Sequence, residues 1–133
     1  MPDLYGTNAG SHNLSGMTNA QVAAFYVDLF NQQGPKLDAQ VLDTALDVYA
    51  TTLSLGGTTA QACGFDVTAD GLGASTYNVG ANGAAFGVAN GTTLTVYAIL
   101  EGADRLAVNG VLYNGDSTLR KEAMNVFSGL GGR

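Results

Sequence analysis

Two residues of this chain could do chemistry alone: one histidine, His12, and one cysteine, Cys63. Imidazole moves protons near neutral pH, and a thiolate is a strong nucleophile. Both need a setting. A catalytic imidazole must be held by packing and hydrogen bonds, yet His12 sits in Gly6-Thr7-Asn8-Ala9-Gly10-Ser11-His12-Asn13, a polar stretch without periodicity. It reads as a solvated loop residue. A reactive thiol wants a cation or imidazole beside it, and the basic residues nearest Cys63 in sequence are Lys36 and Arg105. Cys63 reads as a small buried apolar side chain, and a lone cysteine forms no intrachain disulfide.

Carboxylates are the next resource. Asp43 and Asp47 stand four apart, one turn of a helix, and the glutamates are Glu101 and Glu122. A glycosidase needs two acids across a cleft. Acids at one-turn spacing read instead as a solvated face. Calcium would use the nine Asp and many Asn, but a helix-loop-helix cation loop needs ligands at fixed positions with Gly at the sixth. Counting from Asn114 puts Leu119 at the sixth position and Asn125 at the twelfth. Asp116 therefore reads as a helix cap, and no metal or other cofactor is expected. Gly71-Leu72-Gly73 and Gly80-Ala81-Asn82-Gly83-Ala84-Ala85 match neither phosphate-loop pattern and read as turns. A Lys–Asn isopeptide needs a buried lysine, and Lys36 and Lys121 sit at helix boundaries. The chain is expected not to be an enzyme.

The elements that would position these residues follow from patterning. Thr18-Asn19 can cap a helix whose stripe is Val22, Phe25, Tyr26, Leu29 and Phe30, stopped by Gly34-Pro35. Asp38 can cap a second helix, with Val41, Leu42, Ala45, Leu46, Val48, Tyr49 and Leu53 inward and Gly56-Gly57 at its end. The short connection predicts an antiparallel helical hairpin. Phe65–Thr68 and Thr76–Val79 alternate as strands and predict a small β-hairpin between helices two and three, while Ala84–Val88 reads as a short strand or buried loop. Thr95 can cap a third helix carrying Val96, Ile99, Leu100 and Ala103, in which Gly102 costs about 1 kcal/mol relative to Ala. Asp116 opens a fourth helix to about Phe127, with Leu119, Ala123, Met124 and Phe127 inward. The expected fold is mainly α with a small β element (α+β). Residues 1–17 read as a flexible or docking arm, 18–130 as a single globular domain and 131–133 as a frayed end.

The chain has 133 residues, 19 of them Gly, with five Lys+Arg against eleven Asp+Glu. That length suits one domain. A net charge of −6 excludes a basic nucleic-acid-binding face, and no apolar run approaches the roughly 18 residues of a membrane span. Met1-Pro2-Asp3 lacks the basic and apolar regions of a secretory signal. The expectation is therefore either a cytosolic protein or a piece of a longer secreted one. The glycosylation sequons Asn13-Leu14-Ser15 and Asn90-Gly91-Thr92 are short enough to recur by chance. Among the six tyrosines, Tyr26 and Tyr49 fit helical stripes and read as core. Leu4, Tyr5, Leu14 and Met17 in the arm, with Tyr113 in the turn from 109 to 116, have no such place. They are the candidate interface residues, Tyr being well suited to contact surfaces.

Five stretches carry a resemblance: Asn13-Leu14-Ser15-Gly16-Met17-Thr18-Asn19-Ala20-Gln21-Val22, Leu37-Asp38-Ala39-Gln40-Val41-Leu42, Tyr77-Asn78-Val79-Gly80, Ala85-Phe86-Gly87-Val88-Ala89-Asn90 and Ala107-Val108-Asn109-Gly110-Val111-Leu112-Tyr113-Asn114-Gly115. Over most of its length the chain resembles a module near the C-terminus of very large secreted or surface proteins of planctomycete-type and other environmental bacteria. There the module follows adhesion-like or repeat domains and has no assigned catalytic residues. The resemblance implies an extracellular or cell-surface setting.

The expected function is thus a non-catalytic structural or assembly module of a bacterial surface protein or filament. Its partners would be other copies of itself or neighbouring domains of a larger protein. The alternatives are a dockerin-like calcium-dependent interaction domain and a small carbohydrate-active enzyme using Asp43, Asp47, Glu101 or Glu122.

Overall fold

The structure, a computed structural model, describes residues 13–31, 37–53, 61, 67–69, 71–108 and 110–131. Leu4, Tyr5, His12, Cys63 and Phe65 lie outside the described residues, as do the side chains of Tyr26, Leu29 and Phe30. The architecture is α+β: mostly helical, with a two-stranded antiparallel sheet. The α-helices among the described residues are α1 (Asn19–Asn31), α2 (Leu37–Thr51), α3 (Val96–Arg105) and α4 (Ser117–Gly131); the strands are β1 (Thr76–Asn78) and β2 (Thr93–Thr95).

The starts of α1, α3 and α4 follow from side-chain chemistry. Thr18 and Gln21 form a reciprocal capping box: the Gln21 amide donates to Thr18 Oγ1 at 3.2 Å, and the Thr18 amide to Gln21 Oε1 at 2.9 Å. Thr95 Oγ1 accepts from the Ala98 amide at 3.1 Å and Asp116 Oδ1 from the Leu119 amide at 3.0 Å, so both expected caps are in place. Asp38 lies inside the first turn of α2 rather than at its cap.

α2 stops at Thr51, short of the expected Gly56-Gly57. Its last threonines turn their hydroxyls back onto helix carbonyls, Thr51 to Asp47 at 2.7 Å and Thr52 to Val48 at 2.6 Å. Thr52 then pairs with Thr68 in an isolated parallel bridge. That bridge corrects the expected strand pairing. Thr76–Asn78 pairs with Thr93–Thr95, in register Thr76↔Thr95, Tyr77↔Leu94 and Asn78↔Thr93, while Thr68, the described end of the expected first strand, bridges to Thr52 instead. The chain between the strands winds as a 3-10 segment, Gly80–Phe86, in place of a third strand. Bonds from Val79 N to Thr92 O (3.0 Å) and from Gly91 N to Gly80 O (2.7 Å) close the ladder around it.

The core lies where α2, α3, α4 and the Gly80–Phe86 segment meet. Leu37, Val41, Val48, Val79, Phe86, Ile99, Leu100, Val126 and Phe127 are buried in one cluster. The rings of Phe86 and Phe127 sit 6.1 Å apart, tilted by 60°, an edge-to-face-like contact. Gly102 is explained by this packing. A Cβ there would lie 3.2 Å from the Phe86 Cβ and 3.3 Å from its Cα, a contact tight enough that Phe86 would have to shift by a few tenths of an ångström.

Candidate functional site

The arrangement of α2 decides which of its side chains remain available. At 100° per residue, Leu37, Val41, Thr44 and Val48 share one face, and all four are buried. Ala39, Leu42, Leu46 and Tyr49 share the opposite face, at spacings of three, four and three, and Leu53 follows four residues on, past the helix end. That is the spacing of a helix–helix seam. Its first half is filled within the chain: Leu14 and Phe25 pack against buried Ala39 and Leu42. Its second half is open, with Leu46 36%, Tyr49 55% and Leu53 48% exposed. Reading α2 as a single stripe put Tyr49 and Leu53 in the core. They are not there because the helix carries two apolar faces and only one meets the main core.

The candidate contact residues fare differently. Leu14 is half-buried on α2 of its own chain, while Met17 is exposed. Tyr113 is corrected outright: it is 3% exposed and belongs to the core. The turn hides it because Val108 and Val111 exchange backbone bonds (3.0 and 2.9 Å), after which Tyr113 and Asn114 take left-handed conformations, φ 56° and 49°. Such backbone is uncommon for residues with a Cβ, and packing must hold it. The Tyr113 hydroxyl and Glu122 Oε2 are both buried without a hydrogen-bond partner. Burial pushes the Tyr113 phenol well above its usual range; the Arg120 charge pulls it partly back, and Glu122 adds to the rise.

Below this turn lies a cavity of about 390 Å³, lined by Leu37, Gly115, Ser117, Arg120, Lys121 and Met124. Arg120 braces its edge: one terminal nitrogen donates to the Leu112 carbonyl at 3.2 Å and the other to Asp38 at 3.1 Å. Two of the chain's five cations line this one cavity. The sequence marks it only by the adjacent pair Arg120-Lys121.

The carboxylates considered for glycoside chemistry are dispersed. Asp43 and Asp47 are on α2, Glu101 is on α3 and Glu122 on α4, and none lines the cavity. Asp47 titrates above its usual value, first through burial and second through the charge of Asp43. Asp116 uses a side-chain oxygen as a cap. Among the described residues no three acidic, histidine or cysteine side chains come together as a cation cage.

Compared with known protein families, curated proteins and solved structures, the chain matches none.

Proposed function

We propose that this chain is a non-catalytic extracellular domain of a bacterial surface protein or filament, working by protein–protein contact through the open half of the α2 seam. The observation that carries the proposal is the seam itself, closed by Leu14 and Phe25 over Ala39 and Leu42 and exposed at Leu46, Tyr49 and Leu53. A contiguous apolar strip at helix-pairing spacing marks an interaction surface. The sparse charge and uncharged polar composition support the extracellular setting.

The occupant is a second copy of this chain. The open strip continues an interface the chain already makes with its own apolar residues, and Ala50 adds a small apolar side chain beside it. Three partly exposed side chains offer far less than the about 800 Å² per partner of a stable dimer. The contact is therefore weak singly and acts through repetition, as in a filament or an array of tethered domains.

Sedimentation equilibrium of the full chain tests this. Wild type is expected to self-associate at high concentration, and Tyr49→Glu to remain monomeric with an unchanged melting midpoint. A wild type that stays monomeric, or a Tyr49→Glu variant that associates equally, overturns the proposal. Removing residues 1–12 tests Leu4 and Tyr5: unchanged association takes them out of the contact.

A further inference from the structure

The cavity below the Leu112–Gly115 turn lies on the core side of α2, where Leu37 sits, opposite the seam. Its volume of about 390 Å³ falls within the range of small-molecule sites, about 300–1,000 Å³. Its walls divide by chemistry: Leu37 and Met124 are apolar, Ser117 brings a hydroxyl, and Arg120 and Lys121 bring positive charge. Every charged residue of the lining is cationic, in a chain of net charge −6.

The nearby acids stay out of the lining, although Asp38 offsets part of the Arg120 charge and leaves Lys121 as the unpaired cation of the lining. Asp38 is paired with Arg120, Asp116 is bonded to the Leu119 amide, and neither lines the space. Glu122 is absent from the lining as well. Arg120 keeps donors in reserve. A guanidinium has five N–H groups, and the two bonds to Leu112 and Asp38 occupy two of them. These same bonds fix the guanidinium before any ligand arrives, which lowers the ordering entropy that binding must overcome. Lys121 is exposed, so its ammonium can reach an anion at the mouth.

We infer that this cavity binds a small amphipathic carboxylate, with its apolar tail against Leu37 and Met124 and its carboxylate at Arg120 and Lys121. Apolar walls with few placed polar groups are the usual form of such sites, and a guanidinium fork matches a carboxylate in geometry.

Octanoate is the probe, with octanol (no charge) and acetate (no tail) as comparisons, read by the methyl resonances of Met124 and Leu37 in the full chain. Octanoate is expected to shift both saturably, while octanol and acetate bind at least several-fold more weakly. Lys121→Gln, an exposed substitution, is expected to weaken octanoate about two- to five-fold, the size of a solvent-screened ion pair, and to leave octanol unchanged. The inference is overturned by the absence of a saturable shift at Met124, by octanol binding as tightly as octanoate, or by Lys121→Gln binding octanoate like wild type.

Discussion

Replacing Gly83 with alanine separates two reasons a glycine can be required. Gly83 lies in the run Gly80–Phe86, whose glycines suggest turns of positive φ, but it is absent from the positive-φ residues. Its constraint is proximity. A Cβ at Gly83 would lie 2.5 Å from the Val88 carbonyl oxygen and 2.7 Å from the carbonyl carbon and oxygen of Ala89, all backbone atoms. Backbone cannot rotate aside as a side chain can, so the loop must move. That loop is held by the Val88 amide on the Gly83 carbonyl (3.1 Å) and the Gly83 amide on Asn90 Oδ1 (3.0 Å). Overpacking costs about 1–3 kcal/mol and a lost hydrogen bond about 1 kcal/mol more, giving about 2–4 kcal/mol for Gly83→Ala. Gly87, at φ 69° with open space around it, is the comparison, because alanine there costs only the left-handed conformation, about 1–2 kcal/mol. Urea unfolding with a common slope reads both. Gly83→Ala should lower the midpoint about twice as far as Gly87→Ala. Equal or reversed shifts would refute the close-approach argument.

Two further predictions concern charge. Arg120→Ala removes the bonds to Leu112 and Asp38, whose pair is about one-quarter exposed on each side, and should cost about 1–2 kcal/mol in urea unfolding. Arg120→Lys should recover less than half of this, since an ammonium cannot reproduce the two-pronged geometry. Asp47 is harder to ionise in the folded chain than in the unfolded chain. Its contribution is therefore most favourable below the unfolded pKa and is lost as pH rises through the folded one. Asp47→Asn should stabilise the chain at pH 7, by less than about 1 kcal/mol because water screens the group. The gain should vanish in melts below the ordinary carboxylate range; a gain that persists there assigns the effect to something other than charge.

Local signals in this sequence are legible where one residue decides them. Thr18, Thr95 and Asp116 each announce a helix start by offering an oxygen to an orphan amide, and each does so in the structure, whereas Asp38 offers the same signal and lies inside the first turn of α2 instead. Pairing is less legible. Thr93-Leu94-Thr95 is only three residues long, and Thr95 is both the last strand residue and the cap of α3, so its helix signal masks its strand role. Tyr113 shows the same limit for burial. Gly110 lies in a turn, but whether Tyr113 after it faces water depends on α4 and Glu122, which are remote from any local pattern. Neither the open seam nor the cavity could be read locally, since each exists only once some residues are covered and others are not.

The two faces of α2 link fold to proposed function. A helix with one apolar stripe is satisfied by one core. α2 has a second, at seam spacing, and among the described residues Leu14 and Phe25 cover its first part. Completing the cover internally would have needed apolar partners along the whole helix. Leaving Leu46, Tyr49 and Leu53 bare carries an aggregation risk that soluble domains usually limit with surrounding charge. This chain has little charge to spend there: Asp43 and Asp47 sit to one side, and burial with mutual repulsion already disfavours ionising Asp47. A bare apolar strip, small in area and weakly guarded by charge, is costly for an isolated monomer. It is tolerable in a chain whose working state covers it with a neighbour.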